Sequence, residues 1–255
     1  MILMKWVLLL LIASMAVSFG ACGFGEESAT EPEITDVTYW EAGDLGSRVA
    51  VSYPKMKALP GTPGFELNEA IRRRCMEEFD SCREELLPSA AEAKKEIEAD
   101  PEADGLCMRN WVHNLTYIPD YLSEKSVSLC LMSRWYTGGA HSNWSFVPVN
   151  YQWTEKGVRQ LDLADLFDPS VDWKVPLSRI VGGKIADIGY CWPHIEDAGT
   201  ELLDAPFTFS SSGLTFHYAP YILTAFAGGD FHIQVPIRGI RHLLSKDGPM
   251  GCWLD

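Results

Sequence analysis

Lys125-Ser-Val-Ser-Leu-Cys-Leu-Met-Ser-Arg-Trp-Tyr136, followed by Thr137-Gly-Gly-Ala-His-Ser-Asn143, decides the fold class. Val127, Leu129 and Leu131 alternate with smaller or polar neighbours and share one face, the period of a strand with one side against a core. Gly138 and Gly139 then break the pattern and permit positive φ, so the block reads as a turn between two strands. Ser145 to Trp153 resumes the strand texture, and Gly157 to Leu161 reads as the end of a further hairpin. Upstream, Trp111 to Tyr117 is expected to pair with 125–136.

Further outward the texture becomes helical. Leu67, Ile71, Cys75, Phe79, Cys82 and Leu86 recur at three- and four-residue intervals and form one apolar stripe, with Arg and Glu on the opposite face. Pro88 is expected to end or kink this helix, with a second piece over 89–98. Before it, Val37–Trp40 and Ser47–Tyr53 read as strands. After the central strands, Trp173–Ile188 reads as a helix. Phe207–Ser210, Leu214–Tyr218 and Phe231–Val235 return to β, and Ile237–Leu244 closes as a short helix. Strand runs and helices without regular βαβ units predict an α+β fold, a mostly antiparallel sheet packed with helices in two sub-domains, 37–110 and 111–255.

The first residues carry a second message. One lysine, Lys5, precedes an apolar run from Trp6 to Val17, closed by Ser18, Gly20 and Ala21. This is the three-part pattern of a secretory signal peptide over residues 1–21, and the run is shorter than a spanning helix requires. Phe19-Gly-Ala-Cys22 resembles a lipobox, with Cys22 as the acceptor of lipid, although Phe19 stands where leucine is usual. A retained anchor and an ordinary cleavage nearby are the alternatives. Residues 22–36 are small, polar and acidic, a composition suited to a flexible tether. The localisation expected is the cell envelope, lipid-anchored on the extracytoplasmic side of a membrane.

The chain has seven cysteines. With Cys22 assigned to lipid, Cys75, Cys82, Cys107, Cys130, Cys191 and Cys252 remain, an even set that predicts a disulfide-stapled domain in an oxidising compartment. The net charge is −14. That disfavours nucleic acid, whose binding rests on Lys and Arg neutralising phosphates, and favours a basic partner. No P-loop, dinucleotide fingerprint, Gly-x-Ser-x-Gly elbow or Cys-x-x-Cys pair occurs, so neither cofactor nor metal is expected.

Three blocks together resemble a known family. They are Tyr53-Pro54 with Leu67-Asn68; Tyr136-Thr-Gly-Gly-Ala-His-Ser-Asn143 with Gly157 and Leu161-Asp-Leu-Ala-Asp-Leu-Phe167; and Leu214-Thr-Phe-His-Tyr-Ala-Pro-Tyr221 with Ala227-Gly-Gly229 and Phe231-His-Ile-Gln-Val-Pro236. Their order and spacing are similar to the extracellular domain of the RsiV-type family, also found in PdaC-type polysaccharide deacetylases, over roughly residues 37–246. The resemblance implies a domain that senses lysozyme by direct binding. The sigma-factor-holding segment and the deacetylase domain of those relatives have no counterpart in this sequence.

Tyr136, Gly138, Gly139, His141 and Asn143 are the candidate binding residues. The alternative is local: the glycines form the turn and His141 fixes it through a backbone carbonyl. His217 and His232, in neighbouring strands, are either satisfied packing residues or a metal pair lacking a third ligand. Asp162 and Asp165 read either as acid–base carboxylates or as helix-terminus chemistry. Trp135, Trp144 and Trp153 are either packing residues or sugar-stacking platforms. The expectation is a non-enzymatic envelope lipoprotein that binds a lysozyme-like protein or a cell-wall component. The rival is an envelope enzyme acting on peptidoglycan or another glycan through His141 with Asp162 or Asp165.

Overall fold

The computed structural model of the chain describes residues 32–100 and 110–254. The expected leader, Cys22 as the expected lipid acceptor, and Cys107 lie outside them. No helix among the described residues is long and apolar enough to cross a membrane.

β1 (Ile34–Ala42) and β2 (Arg48–Met56) pair antiparallel. A long helix, α1 (Pro63–Ala99), then carries the chain back, and β3 (Val112–Leu122) runs parallel to β2. Parallel neighbours need such a crossover, so α1 accounts for the one parallel pair in an otherwise antiparallel sheet. β4 (Ser126–Tyr136), β5 (Asn143–Thr154) and β6 (Gly157–Gln160) complete a six-stranded sheet in sequence order.

The apolar stripe of α1 is buried against one face of that sheet. Leu67, Ile71, Cys75, Phe79, Cys82 and Leu86 meet Val49, Val51, Leu115, Val127, Leu129, Leu131 and Val149. Thr62 caps the helix, its hydroxyl accepting from the Phe65 N–H, and Pro63 follows at the first turn, where its missing N–H costs nothing. Buried Asn68 ties helix to sheet. Its Oδ1 accepts from Met56 N–H at 2.9 Å and its Nδ2 donates to the Met56 carbonyl at 2.8 Å. One side chain thus satisfies both backbone groups at the end of β2.

The helix does not stop at Pro88; it runs unbroken to Ala99. Pro88 and Glu84 both lie on the exposed side. The Glu84 carbonyl that loses its i+4 donor therefore faces water, while Leu86 and Ala90 keep the packed side continuous.

β7 (Phe207–Ser210), β8 (Gly213–Tyr218) and β9 (Phe231–Pro236) form a three-stranded antiparallel sheet. With α2 (Lys174–Ala186) and the short α3 (Ile237–Ile240) it encloses a second core around Phe209, Phe216, Leu177, Ile185, Val235 and Ile240. β7 lies against the other face of β4 and β5. There Ser128 and Asn150, directly opposed across the strands, hydrogen-bond each other at 2.7 Å. Ser128 Oγ also accepts from Phe209 N–H, and Asn150 Nδ2 donates to the Phe207 carbonyl. The observed architecture is α+β, with a mixed six-stranded sheet and a second small sheet.

The expected disulfide staple is corrected. No disulfide joins Cys75, Cys82, Cys130, Cys191 or Cys252 among the described residues. Cys75 and Cys82 belong to the α1 stripe, whereas Cys130 alternates with Leu129 and Leu131 and so faces the other side of the sheet. These three behave as small apolar core residues. Burial pushes the Cys75 and Cys130 thiols up to about 12 and that of Cys82 to about 11.

Candidate functional site

The turn between β4 and β5 is built as its glycines require. Gly138 and Gly139 have φ of 102° and 95°, and no atom lies where a Gly139 side chain would go. The Tyr136 hydroxyl donates to the Gly139 carbonyl at 3.1 Å and closes the loop. Asn143 opens β5 opposite Trp135. This geometry directs His141 away from the sheet and toward a second loop 80 residues later in the chain.

There the His141 ring stacks on Phe226, with centroids 3.5 Å apart and planes 13° apart. Its Nδ1 lies 3.2 Å from the Ser142 carbonyl and its Nε2 3.4 Å from the Tyr221 hydroxyl. The carbonyl can only accept, so Nδ1 carries the proton and Nε2 accepts from Tyr221. Trp144 meets Phe226 edge-on at 5.5 Å, and Arg134 sits over the Trp144 ring. Trp192 buttresses the same loop, its backbone N–H donating to Leu223 and its indole N–H to the Tyr221 carbonyl.

The result is an aromatic surface rather than an aromatic core. Tyr190, Trp192, Tyr221 and Ile222 are 64, 45, 53 and 52% exposed. Tyr221 also holds a φ of 71°, a left-handed backbone that non-glycine residues adopt at a cost of order 1 kcal/mol. Single exposed apolar residues are ordinary; several placed together mark contact surfaces. Tyr190, Trp192 and Phe226 carried no signal in the sequence, since no periodicity connects loops so far apart. Gly228 and Gly229, just after Phe226, were the nearest hint.

The other candidates separate from this surface. Asp165 is committed: Arg159 binds one oxygen at 2.8 Å and the Asp162 N–H donates to the other at 2.8 Å. The Asp165 carboxyl is held below its usual range by Arg159 and that N–H, against a desolvation that acts the other way. Both aspartates thus serve the short helical turn at Leu163–Leu166. The described contacts of His141 are with aromatic rings, a hydroxyl and a carbonyl. Trp153 donates to Glu66 at the start of α1.

His217 and His232 do come together. Their Nδ1 atoms are 2.8 Å apart, and Phe146 packs on both rings. His217 Nε2 meets the Thr208 hydroxyl at 2.8 Å, and Thr208 donates on to Asp120. The irregular register of β3 between Pro119 and Tyr121 leaves Asp120 at a bulge, which aims it at Thr208. His232 Nε2 meets Asp230 at 2.9 Å. No group of three or more His, Cys, Asp or Glu among the described residues is arranged to hold a metal.

Burial pulls His217 down to about 4 from 6.5, with His232 adding to the shift. An unfolded histidine takes its proton near 6.5, so between those values the unfolded chain binds the proton that folded His217 refuses. Stability should therefore fall as pH drops from 6.5 to 4, by up to about 3 kcal/mol from this residue. His113, lowered by burial beside Cys82, adds in the same direction. Urea midpoints measured across that window should decline, and the decline should be shallower in His217→Gln.

Residues 164–238 match the model of the DUF3298 family, described as a protein of unknown function. That segment includes β7 to β9, Tyr221, Phe226 and both histidines of the pair. Two solved structures share the fold. A DUF3298-family protein from Bacteroides fragilis is 17% identical, with a TM-score of 0.60, covering 89% of this chain and 99% of its own. A DUF3298-family protein from Pseudomonas aeruginosa is 15% identical, with a TM-score of 0.54, covering 85% and 96%. Comparison with curated proteins finds no match.

Proposed function

We propose that the chain is a non-enzymatic binding protein of the bacterial cell envelope, tethered by lipid on Cys22. The aromatic surface around His141, Tyr221 and Phe226 receives its partner, a basic protein of the lysozyme kind or a cell-wall component. The observation that carries this reading is the convergence of two loops 80 residues apart on exposed rings. Rings with a polar edge are rigid anchors, which lose little entropy when a partner covers them.

Two further features support it. The net charge of −14 gives a basic partner a steering advantage. The Gly-Gly-Ala-His turn and the Tyr221 loop are also blocks of the resemblance to the RsiV-type extracellular domain, whose partner is lysozyme.

The mature domain, immobilised, is offered lysozyme and, separately, purified peptidoglycan. Binding of either at low salt is the expected result, with at least a tenfold loss in Tyr221→Ala and Phe226→Ala. Capture of neither would sink the proposal. The tether has its own check. Cys22→Ser should move the protein from the membrane to the soluble envelope fraction and abolish its labelling by radioactive palmitate.

A further inference from the structure

Proton counting along the chain Asp120–Thr208–His217–His232–Asp230, buried at Thr208 and His217 and open to water at His232, gives a result that neither histidine shows alone. Thr208 uses its single hydroxyl proton on Asp120, so its oxygen must accept from His217 Nε2. A neutral His217 then has a bare Nδ1. His232 Nδ1 faces it at 2.8 Å and must donate. His232 Nε2 lies 2.9 Å from the Asp230 carboxylate and must donate as well. Three ring protons are needed on the two imidazoles, one more than two neutral rings carry.

We infer that His217 and His232 form a binding site for one shared proton, and that this proton, through Asp230, fixes the loop that carries the aromatic surface. Without it, either the two bare Nδ1 atoms or the His232–Asp230 pair is left in repulsive contact. Asp230 follows Phe226 by four residues, across Gly228 and Gly229. Holding the carboxylate therefore holds the short segment whose ring stacks on His141. The second half of this inference concerns the surface assigned above as a binding site, but its test needs no partner.

The surroundings suit a single charge. β3 contributes Asp120, β7 contributes Thr208, and β5 contributes the uncharged Phe146, which packs on both rings. On the His232 side the chain ends at the Asp230 carboxylate. His217 is 2% exposed, so a second proton on the pair is strongly resisted. A metal ion fits less well. Two zinc–nitrogen bonds of roughly 2.0–2.1 Å at a tetrahedral angle spread the nitrogens to about 3.3 Å, whereas the observed 2.8 Å is an N–H···N length.

Histidine-labelled (15N) mature protein, followed by long-range 1H–15N NMR from pH 9 to 5, tests this. His217 and His232 should shift together in one step of one proton, leaving three protonated ring nitrogens at the acid end. Asp230→Asn should move that step down by about one pH unit and reduce the ring-current shift of His141 on Phe226. His232→Gln should abolish the step. Two independent steps, or a step that Asp230→Asn leaves in place, would overturn the shared proton. An unchanged His141 shift in Asp230→Asn would overturn its link to the loop. Stoichiometric Zn2+ binding that displaces both Nδ1 signals at pH 7 would replace the proton with a metal.

Discussion

Asn68→Leu should cost about 4 kcal/mol of stability. The substitution keeps the size of the side chain, so little cavity is created. What it removes is the only described side-chain partner of two buried backbone groups, the N–H and C=O of Met56. Each buried group left without a partner costs roughly 1–3 kcal/mol. Asn68→Asp should recover only part of the loss, since a carboxylate still accepts from the Met56 N–H but sets its other oxygen against the Met56 carbonyl. Urea unfolding at pH 7 measures both. A loss under 1 kcal/mol in Asn68→Leu would show that β2 and α1 are joined by the apolar stripe alone.

The second large effect is expected at the junction of the two sheets. Asn150 is 2% exposed and stands between the Ser128 hydroxyl and the Phe207 carbonyl. Asn150→Leu should strand both and cost about 4 kcal/mol by the same reckoning. Because the lost bonds join the two cores, the change should also split their unfolding. Amide exchange in β7 to β9 should rise well above that in β2 to β4. If both regions exchange together, the sheets are coupled through apolar contact rather than through this polar pair.

How much of this was legible beforehand follows from range. The α1 stripe and the alternation of β4 are local periodicities, and both face the core as read. The passage of α1 through Pro88 was not legible, because it depends on which side of the helix is wet. The disulfide expectation failed for a related reason. An even cysteine count records composition, while the sheet lying between Cys75 and Cys130 is tertiary. Within the candidate site, Tyr136, Gly138, Gly139 and His141 were visible as a turn with an unusual histidine. Phe226 and Trp192 became visible only once two loops met. His217 and His232 are legible as histidines of neighbouring strands, but their proton count requires Thr208, Asp120 and Asp230, which come from three separate segments.

The cap that Ser128 and Asn150 place on β7 has a consequence beyond stability. An outer strand normally offers its free N–H and C=O groups to any extended polypeptide that passes, and so invites β-augmentation or templated aggregation. Here the Phe207 carbonyl and the Phe209 N–H are occupied by side chains of the same molecule. The seal is made of two residues rather than a whole strand, so it is open to single mutations. Asn150→Leu should not only loosen the fold but expose a recruitable strand. Its characteristic failure should be self-association rather than simple unfolding.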